Sequence, residues 1–365
     1  MQGSALVETF TAVSLFTGAG GLDIGFGQSG FKTVWANELN KDACATFAHH
    51  HGPDVMRCGD LHGFMPELNH VASPDVLIGG PPCQGFSVAG YMDLNDPRSE
   101  LVFTYMDALR RLQPRSFVLE NVKALAGLAK FRPIRERLMR EARAAGYDVD
   151  LVVVRASDYG VPQARERMLL VGFREGKARD FYANLQTQKT PAPTLAEAIR
   201  HLGRAGSPSN PKVCNAKVTI ARNPILRASP YAGMLFNGQG RPLDPRGYAS
   251  TLPATMGGNR TPIVDEEQLY GDGESWVAGY HAHLLRGGGS LPAKFAPSRL
   301  RRLTIDEAAA IQTFPRDYKF VGRSSSVYAQ IGNAVPCELA RRIALSVKAV
   351  LDGYKANHSP LPMVA

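Results

Sequence analysis

Residues 79–87 read GGPPCQGFS and set one cysteine, Cys83, directly after the apolar run DVLIGG (75–80). A thiol in that place has two readings. Free cysteines are commonly small buried hydrophobes. One held at the carboxyl end of a strand, where open α/β sheets bind their ligands, is instead placed to act as a nucleophile. Its company separates the two. Glu120 closes another apolar run, SFVLENV (116–122), and so reaches the same sheet edge. The segment VPQARERMLLVGF puts Gln163, Arg165 and Arg167 at alternate positions entering a further strand, on one face by its two-residue period. Each has a plain alternative: a carboxylate capping nearby backbone, or arginines solvating a sheet edge.

A second group of residues points to a cofactor. The run AVSLF (12–16) passes into the glycine loop Phe16-Thr17-Gly18-Ala19-Gly20-Gly21 and then a short helical pattern. Glycines let backbone pass close to a ligand at the end of a first strand, although an ordinary tight turn would use them too. Two carboxylates point toward a ligand. Glu38 ends TVWANE (33–38), where an acidic residue holds a ribose diol, and Asp60, in CGDL, is placed to accept from an adenine amino group. The pattern implies an adenosine-containing cofactor and does not separate a nicotinamide dinucleotide from S-adenosylmethionine.

These residues need a scaffold that brings strand ends together. Strand runs at 12–16, 33–38, 75–80, 116–122, from 151 and at 167–173 alternate with helical stretches. In 97–113, opened by Asp96-Pro97, Leu101, Tyr105, Leu109 and Leu112 share a face. The rhythm predicts an α/β fold with a Rossmann-like, doubly wound, mostly parallel sheet. After about residue 175 the texture changes. Residues 186–298 are rich in proline, glycine, serine and asparagine, which reads as a second, smaller, loop-rich domain. Helical patterning returns in RRLTIDEAAAIQTFP (301–315), with Thr304 and Glu307 spaced as a capping box, and in a last helix over 336–352. The expected division is a large domain of 1–180 plus 325–365 and a small one of 181–324 that includes the 299–320 block.

Composition narrows the class. The 365 residues are 44% apolar, with a formal net charge of +9, a balance that favours polyanions such as nucleic acid. Five scattered cysteines without CxxC spacing argue against a disulfide framework or zinc site and for a reducing compartment. The three histidines at 49–51 read as surface, so no metal is expected. No run of about 18 apolar residues occurs, and no basic segment precedes the first apolar residues, so a cytoplasmic location without membrane contact is expected.

The blocks SLFTGAGGLDIGF, GGPPCQGFS, LENV, QARER, RRLTIDEAAAIQTFP and QIGNAVP occur in this order. As an ordered set they resemble the DNA cytosine-5 methyltransferases of bacterial restriction-modification systems, over roughly residues 12–174 and 299–350. The resemblance implies S-adenosyl-L-methionine as cofactor and methylation of carbon 5 of a flipped-out cytosine in a specific duplex sequence. It assigns Cys83 to attack carbon 6 of the ring, Glu120 to carry or share a proton at nitrogen 3, and Arg165 to meet the cytosine, with Arg167 and Gln163 supporting. Phe16, Gly18, Ala19, Gly21, Glu38, Asp60, Leu61 and Leu101 fall to the cofactor, with Asn333 and Ala334 closing its pocket and Pro82 at its edge, backing the target base.

On the DNA side the resemblance implies a closing loop over 84–98 with Gln84, Ser87 and Arg98 facing the duplex, and a recognition domain in the loop-rich segment. Thr251-Leu252 resembles the family's Thr-Leu element, and Arg260 in GGNR is a candidate guanine reader. The implied partners are double-stranded DNA and a restriction endonuclease acting without stable complex, the enzyme itself being a monomer. A tRNA cytosine-5 methyltransferase and a catalytically inactive DNA-binding regulator share the motif set as alternatives. A nicotinamide dehydrogenase would leave the cysteine block unexplained.

Overall fold

Uninterrupted apolar runs form strands covered on both faces. A computed structural model describes residues 9–82, 100–271 and 273–358, with 357 and 358 by backbone only. The strands β1 (Phe10–Leu15), β2 (Phe31–Glu38), β3 (Met56–Cys58), β4 (Val76–Gly79), β5 (Ser116–Val122), β6 (Asp148–Arg155) and β7 (Glu166–Phe173) make one sheet, in the order β3-β2-β1-β4-β5-β7-β6. The first five strands run parallel, and β7 lies antiparallel to both β5 and β6. This is the expected mostly parallel, doubly wound α/β sheet, with its order reversing between β1 and β4.

Register brings the chemistry to one edge. Leu15 lies opposite Asn37 and Gly79, Glu38 opposite Cys58, and Gly79 opposite Leu119. The carboxyl ends of β1, β2, β4 and β5 therefore finish together. Helices α1 (Gly21–Gln28), α2 (Lys41–His51), α3 (Leu61–Phe64), α4 (Leu101–Leu112), α5 (Lys123–Gly127), α6 (Arg132–Ala144) and α7 (Ala178–Thr187), with the C-terminal helix Cys337–His358, complete this part. On α4, Tyr105, Leu109 and Leu112 are buried, as their spacing predicts, and Leu101 is half-buried. The Tyr105 hydroxyl sits 2.9 Å from Leu77 O and 3.1 Å from Val118 O, tying the helix to β4 and β5.

The described chain divides into two compact units. One comprises residues up to Arg155, Glu166–Lys189 and the chain from Cys337, and it contains the whole sheet. The other comprises Ala156–Arg165 and Thr190–Pro336. Against the expected 181–324, the main stretch of the second unit begins nine residues later, at Thr190, and runs twelve residues further, to Pro336, and the unit takes in the turn 156–165.

The second unit has its own apolar core, built around Leu243, Leu252, Leu303 and Ile311 and around Leu235, Phe236 and Tyr280. It holds the antiparallel pairs β8 (Ile220–Ile225) with β9 (Met234–Phe236) and β10 (Ile263–Asp265) with β11 (Leu300–Arg302). Its helices are α8 (Leu195–Ile199), α9 (Glu266–Tyr270), α10 (Trp276–Leu285), α11 (Ile305–Ile311) and α12 (Ser324–Asn333). The capping box of α11 forms as its spacing predicts: Glu307 N–H donates to Thr304 Oγ1 at 3.1 Å, and Thr304 N–H donates to Glu307 Oε2 at 2.9 Å. Among the described residues no helix is long and apolar enough to cross a membrane, and no three His, Cys, Asp or Glu side chains gather as metal ligands.

Candidate active site

At the end of β1 the chain turns through left-handed backbone at Phe16 (φ 55°), Gly18 (φ 54°) and Gly20 (φ 79°). For a phenylalanine that conformation costs about 1–2 kcal/mol, and strain of this kind collects at ligand-holding loops. A Cβ added to Gly18 would meet nothing within 4 Å, so the dihedral rather than crowding requires glycine, and the loop's outer face is open. The loop is held from β2. Gly18 N–H donates to Glu38 Oε2 at 2.9 Å, and Asn40 N–H donates to Glu38 Oε1 at 2.8 Å. Ala19 and Gly21 are buried beneath the turn, and Phe16 is half-buried against the core.

The main chain of Glu38 leads on to β3. Its carbonyl accepts from Gly59 N–H at 2.8 Å, which sets Asp60 beside it. Asp60 caps α3; its Oδ1 accepts from His62 N–H at 3.0 Å and lies 2.9 Å from the His62 ring Nδ1. The backbone bond first, then the ring, holds the Asp60 carboxyl below the usual carboxylate range. Among the described residues no hydrogen bond reaches its Oδ2, while Leu61 next to it is buried.

The ends of β4 and β5 form the second cluster. A Cβ on Gly79 would stand 2.8 Å from Leu15 O and 2.9 Å from the Tyr105 ring, and one on Gly80 would stand 3.1 Å from Glu120 Oε2. Only glycine lets this strand end approach so closely. Asn121 Nδ2 donates to Pro81 O at 3.1 Å and pins the turn into Pro82. Cys83, Gln84, Ser87 and Arg98 lie outside the described residues. Glu120 is buried, and Arg167 Nε lies 2.7 Å from its Oε1, with side-chain exposures of 12% for Arg167 and 10% for Glu120. The guanidinium N–H is not aimed along that line, so Oε1 accepts no well-formed hydrogen bond among the described residues. Strand β7 begins at Glu166, so of Gln163, Arg165 and Arg167 only the last enters the strand, and it is Arg167 that pairs with Glu120.

Gln163 and Arg165 belong to the second unit. Arg165 is 3% exposed and donates from Nη1 to Gly332 O at 3.1 Å. Gln163 is fully buried; its Nε2 donates to Gln312 Oε1 at 3.1 Å and its Oε1 accepts from Leu252 N–H at 3.4 Å. Gln312 Nε2 in turn lies 2.7 Å from Ile331 O and 3.2 Å from Ala334 O. One relay of amides thus links the 251–252 segment to the end of α12. Leu252 and Ala334 are buried, whereas Thr251, Arg260 and Asn333 are exposed.

The sequence model of the C-5 cytosine-specific DNA methylase family matches residues 10–349. The chain belongs to this family. It is 32% identical over 349 residues to the type II methyltransferase M.NgoPII of Neisseria gonorrhoeae, covering 93% of this chain and 96% of that protein. It is also 32% identical over 357 residues to M.FnuDI of Fusobacterium nucleatum, covering 93% and 94%. Among solved structures it resembles the S. pombe Dnmt2 methyltransferase, with a TM-score of 0.63, 14% identity and coverage of 94% of this chain and 99% of that one. It also resembles the Entamoeba histolytica methyltransferase EhMeth, with a TM-score of 0.64, 14% identity and coverage of 94% and 98%.

The protein is therefore a DNA cytosine-5-methyltransferase of the type II restriction-modification class, acting on DNA, and its methyl donor is S-adenosyl-L-methionine. Two residues of this methyltransferase escaped the sequence reading. Gln312, at the C-terminal cap of α11, is fully buried. Arg302, which follows Arg301 in sequence, is 2% exposed. It has no carboxylate partner among the described residues, and burial lowers its pKa from the usual arginine value. Its Nη1 donates to Thr261 O at 2.7 Å and its Nη2 to Asn237 O at 3.3 Å, which anchors the loop that carries Arg260. The strict alternation of Leu300 and Arg302 as inward positions was the available signal, hidden by the shortness of β11.

Proposed function

We propose that this methyltransferase modifies a cytosine turned out of its duplex, through a transient bond between Cys83 and carbon 6 of the ring. The observation that carries the proposal is the strand end where buried Glu120, backed by Arg167, adjoins the Gly80-Pro81-Pro82 turn that leads into Cys83. Carbon 5 of cytosine is a poor nucleophile. Thiolate addition at carbon 6 pushes electrons into the ring and makes carbon 5 reactive. The addition loads negative charge on nitrogen 3 and the carbonyl oxygen. Glu120 meets the first with a proton held at nitrogen 3, and Arg165 meets the second as a guanidinium donor. Arg167 keeps the Glu120 carboxyl in place. Loss of the carbon 5 proton and expulsion of the Cys83 sulfur then end the cycle.

S-adenosyl-L-methionine, when bound, supplies an electrophilic methyl group. The residues present fit it. Glu38, at the end of β2, is the carboxylate for the ribose; the left-handed turn at 16–20 offers an open face beside it; and the unoccupied Oδ2 of Asp60 suits an adenine amino group. Phe16, Leu61 and Leu101 supply apolar contact, with Ala19, Gly21, Pro82, Asn333 and Ala334 completing the set. Turning the base out costs a few kcal/mol of stacking and pairing. Gln84, Ser87 and Arg98 face the DNA, and the exposed Thr251 and Arg260 read it, with Leu252 buried as their support. The second unit is the target-recognition domain. In the cell the enzyme works as a cytoplasmic monomer, marking host DNA against a restriction endonuclease with which it forms no stable complex.

The test is to map 5-methylcytosine in DNA from hosts expressing the wild type and Cys83→Ala. The expected result is methylation at one recognition sequence in the first and none in the second, while the purified variant still retains duplex. Methylation surviving in Cys83→Ala would remove the covalent route.

A further inference from the structure

Cys44 and Cys58 both lie at Glu38, the residue whose carboxylate holds the cofactor loop. Cys58 ends β3 directly opposite Glu38 and is solvent-exposed. Cys44 lies in the first turn of α2, is buried, and donates its thiol hydrogen to Glu38 O at 3.2 Å. Both cysteines therefore sit against one residue of β2, Glu38. The same first turn carries the cap that touches the Glu38 side chain: Asn40 N–H donates to Glu38 Oε1 at 2.8 Å, Ala43 N–H donates to Asn40 Oδ1 at 3.0 Å, and Cys44 N–H donates to Asn40 O at 2.8 Å. Movement of Cys44 is passed through Asn40 to the carboxylate that fixes Gly18.

We propose that Cys44 and Cys58 form a redox-modifiable pair whose closure to a disulfide loosens the Glu38 clamp on the cofactor loop. The pairing itself rests on the thiols alone; its consequence rests on the assignment of Glu38 to the cofactor made above. The oxidant is a low-molecular-weight disulfide. The exposed Cys58 thiolate attacks one of its sulfurs, forming a mixed disulfide and releasing one thiol. Cys44 then loses its proton and attacks the Cys58 sulfur, releasing the second thiol. Two protein thiols are oxidised and one disulfide is reduced to two thiols. Burial pushes the Cys44 thiol up, so the opening attack belongs to Cys58. Closure brings the sulfurs to about 2 Å, which pulls the first turn of α2 toward β3, takes Cys44 off Glu38 O and displaces Asn40 N–H from Oε1. Losing a hydrogen bond to a charged carboxylate weakens cofactor affinity by about tenfold or more.

The experiment incubates the full-length enzyme with oxidised glutathione, alkylates remaining thiols and maps disulfides by mass spectrometry. Calorimetry then gives the affinity for S-adenosyl-L-methionine before oxidation, after it, and after dithiothreitol. The series is repeated in Cys83→Ala to exclude modification of that thiol. The expected result is a peptide crosslinked at 44–58 and a dissociation constant raised about tenfold and restored by dithiothreitol, with neither change in Cys58→Ser. Stable glutathione on Cys58 without the crosslink would overturn the pair. A crosslink with unchanged affinity would overturn the switch. Failure of the reduced enzyme to bind the cofactor at all would overturn the regulatory half together with the reading of Glu38, leaving the crosslink to decide the thiol pair.

Discussion

Replacing Arg167 by methionine should destabilise the protein far more than a surface arginine would. The Arg167–Glu120 contact is 2.7 Å, and the two side chains are 12% and 10% exposed. At an effective dielectric constant of about 20, opposite charges at that distance attract by about 6 kcal/mol. Desolvating both groups takes back several kcal/mol for each ion, so the intact pair nearly breaks even. Removing one partner does not. A lone buried carboxylate costs about 3–5 kcal/mol, and Oε1 has no well-formed hydrogen bond among the described residues to soften the loss. Arg167→Met should therefore lose about 3 kcal/mol or more, and adding Glu120→Gln should recover most of that loss because no charge is then buried. The assay is urea unfolding followed by fluorescence in a Trp276→Phe background, which leaves Trp35 of β2 as the single tryptophan reporter. A loss in Arg167→Met of less than about 1 kcal/mol, or a double variant no more stable than the single one, would refute the reasoning.

Three further outcomes follow from the geometry. Glu38→Gln keeps one acceptor but turns an amide N–H toward a backbone donor, so the dissociation constant for S-adenosyl-L-methionine should rise about thirtyfold or more; calorimetry showing less than a twofold change would count against the clamp. Asp23 is fully buried, with Ser14 and Thr33 hydroxyls donating to it at 3.0 and 2.9 Å, and burial raises its carboxyl above the ordinary value of 3.8. A raised acid costs stability as pH climbs from the unfolded value to the folded one, so Asp23→Asn should flatten that decline in urea midpoints measured from pH 4 upward; an unchanged slope contradicts the assignment. Arg302→Met leaves Thr261 O and Asn237 O without their donor, which should cost about 2 kcal/mol and weaken DNA binding while cofactor affinity stays level; unaltered selectivity in a duplex-binding assay would remove its loop-holding role.

The sheet was legible because its central strands are buried on both faces. DVLIGG and SFVLENV announce β4 and β5 with boundaries within a residue of those observed. At the edge, β6 begins at Asp148, three residues before the apolar run, since an edge strand carries polar residues the pattern discounts. The second unit was read as loops because its elements are short and broken by glycine and proline. Yet Thr194 and Glu197 form the same capping box on α8 as Thr304 and Glu307 on α11, so that helix start was readable. The α10 helix hid behind Gly279, although Ser275 caps it.

At the site, residue types were legible and partnerships were not. Glu38 was picked for a ribose, but its bond to Gly18 arises from the turn between β1 and α1, which no spacing reveals, and its bond to Asn40 from the turn that opens α2. Arg165 and Arg167 looked equivalent by alternation. The start of β7 at Glu166 separates them, sending one into the strand beside Glu120 and the other into the second unit. Gln163, read with the catalytic group, is engaged in a buried amide relay instead.

The central claim is that Cys83 bonds to the substrate ring. Its most direct test is intact-mass analysis of the enzyme after incubation with S-adenosyl-L-methionine and duplex DNA carrying 5-fluorocytosine at the methylated position. That base lacks the hydrogen whose loss would free the sulfur. The account predicts a stable protein–DNA adduct that digestion maps to Cys83. DNA that separates cleanly from an enzyme still active on ordinary cytosine, or an adduct on any other residue, would contradict it.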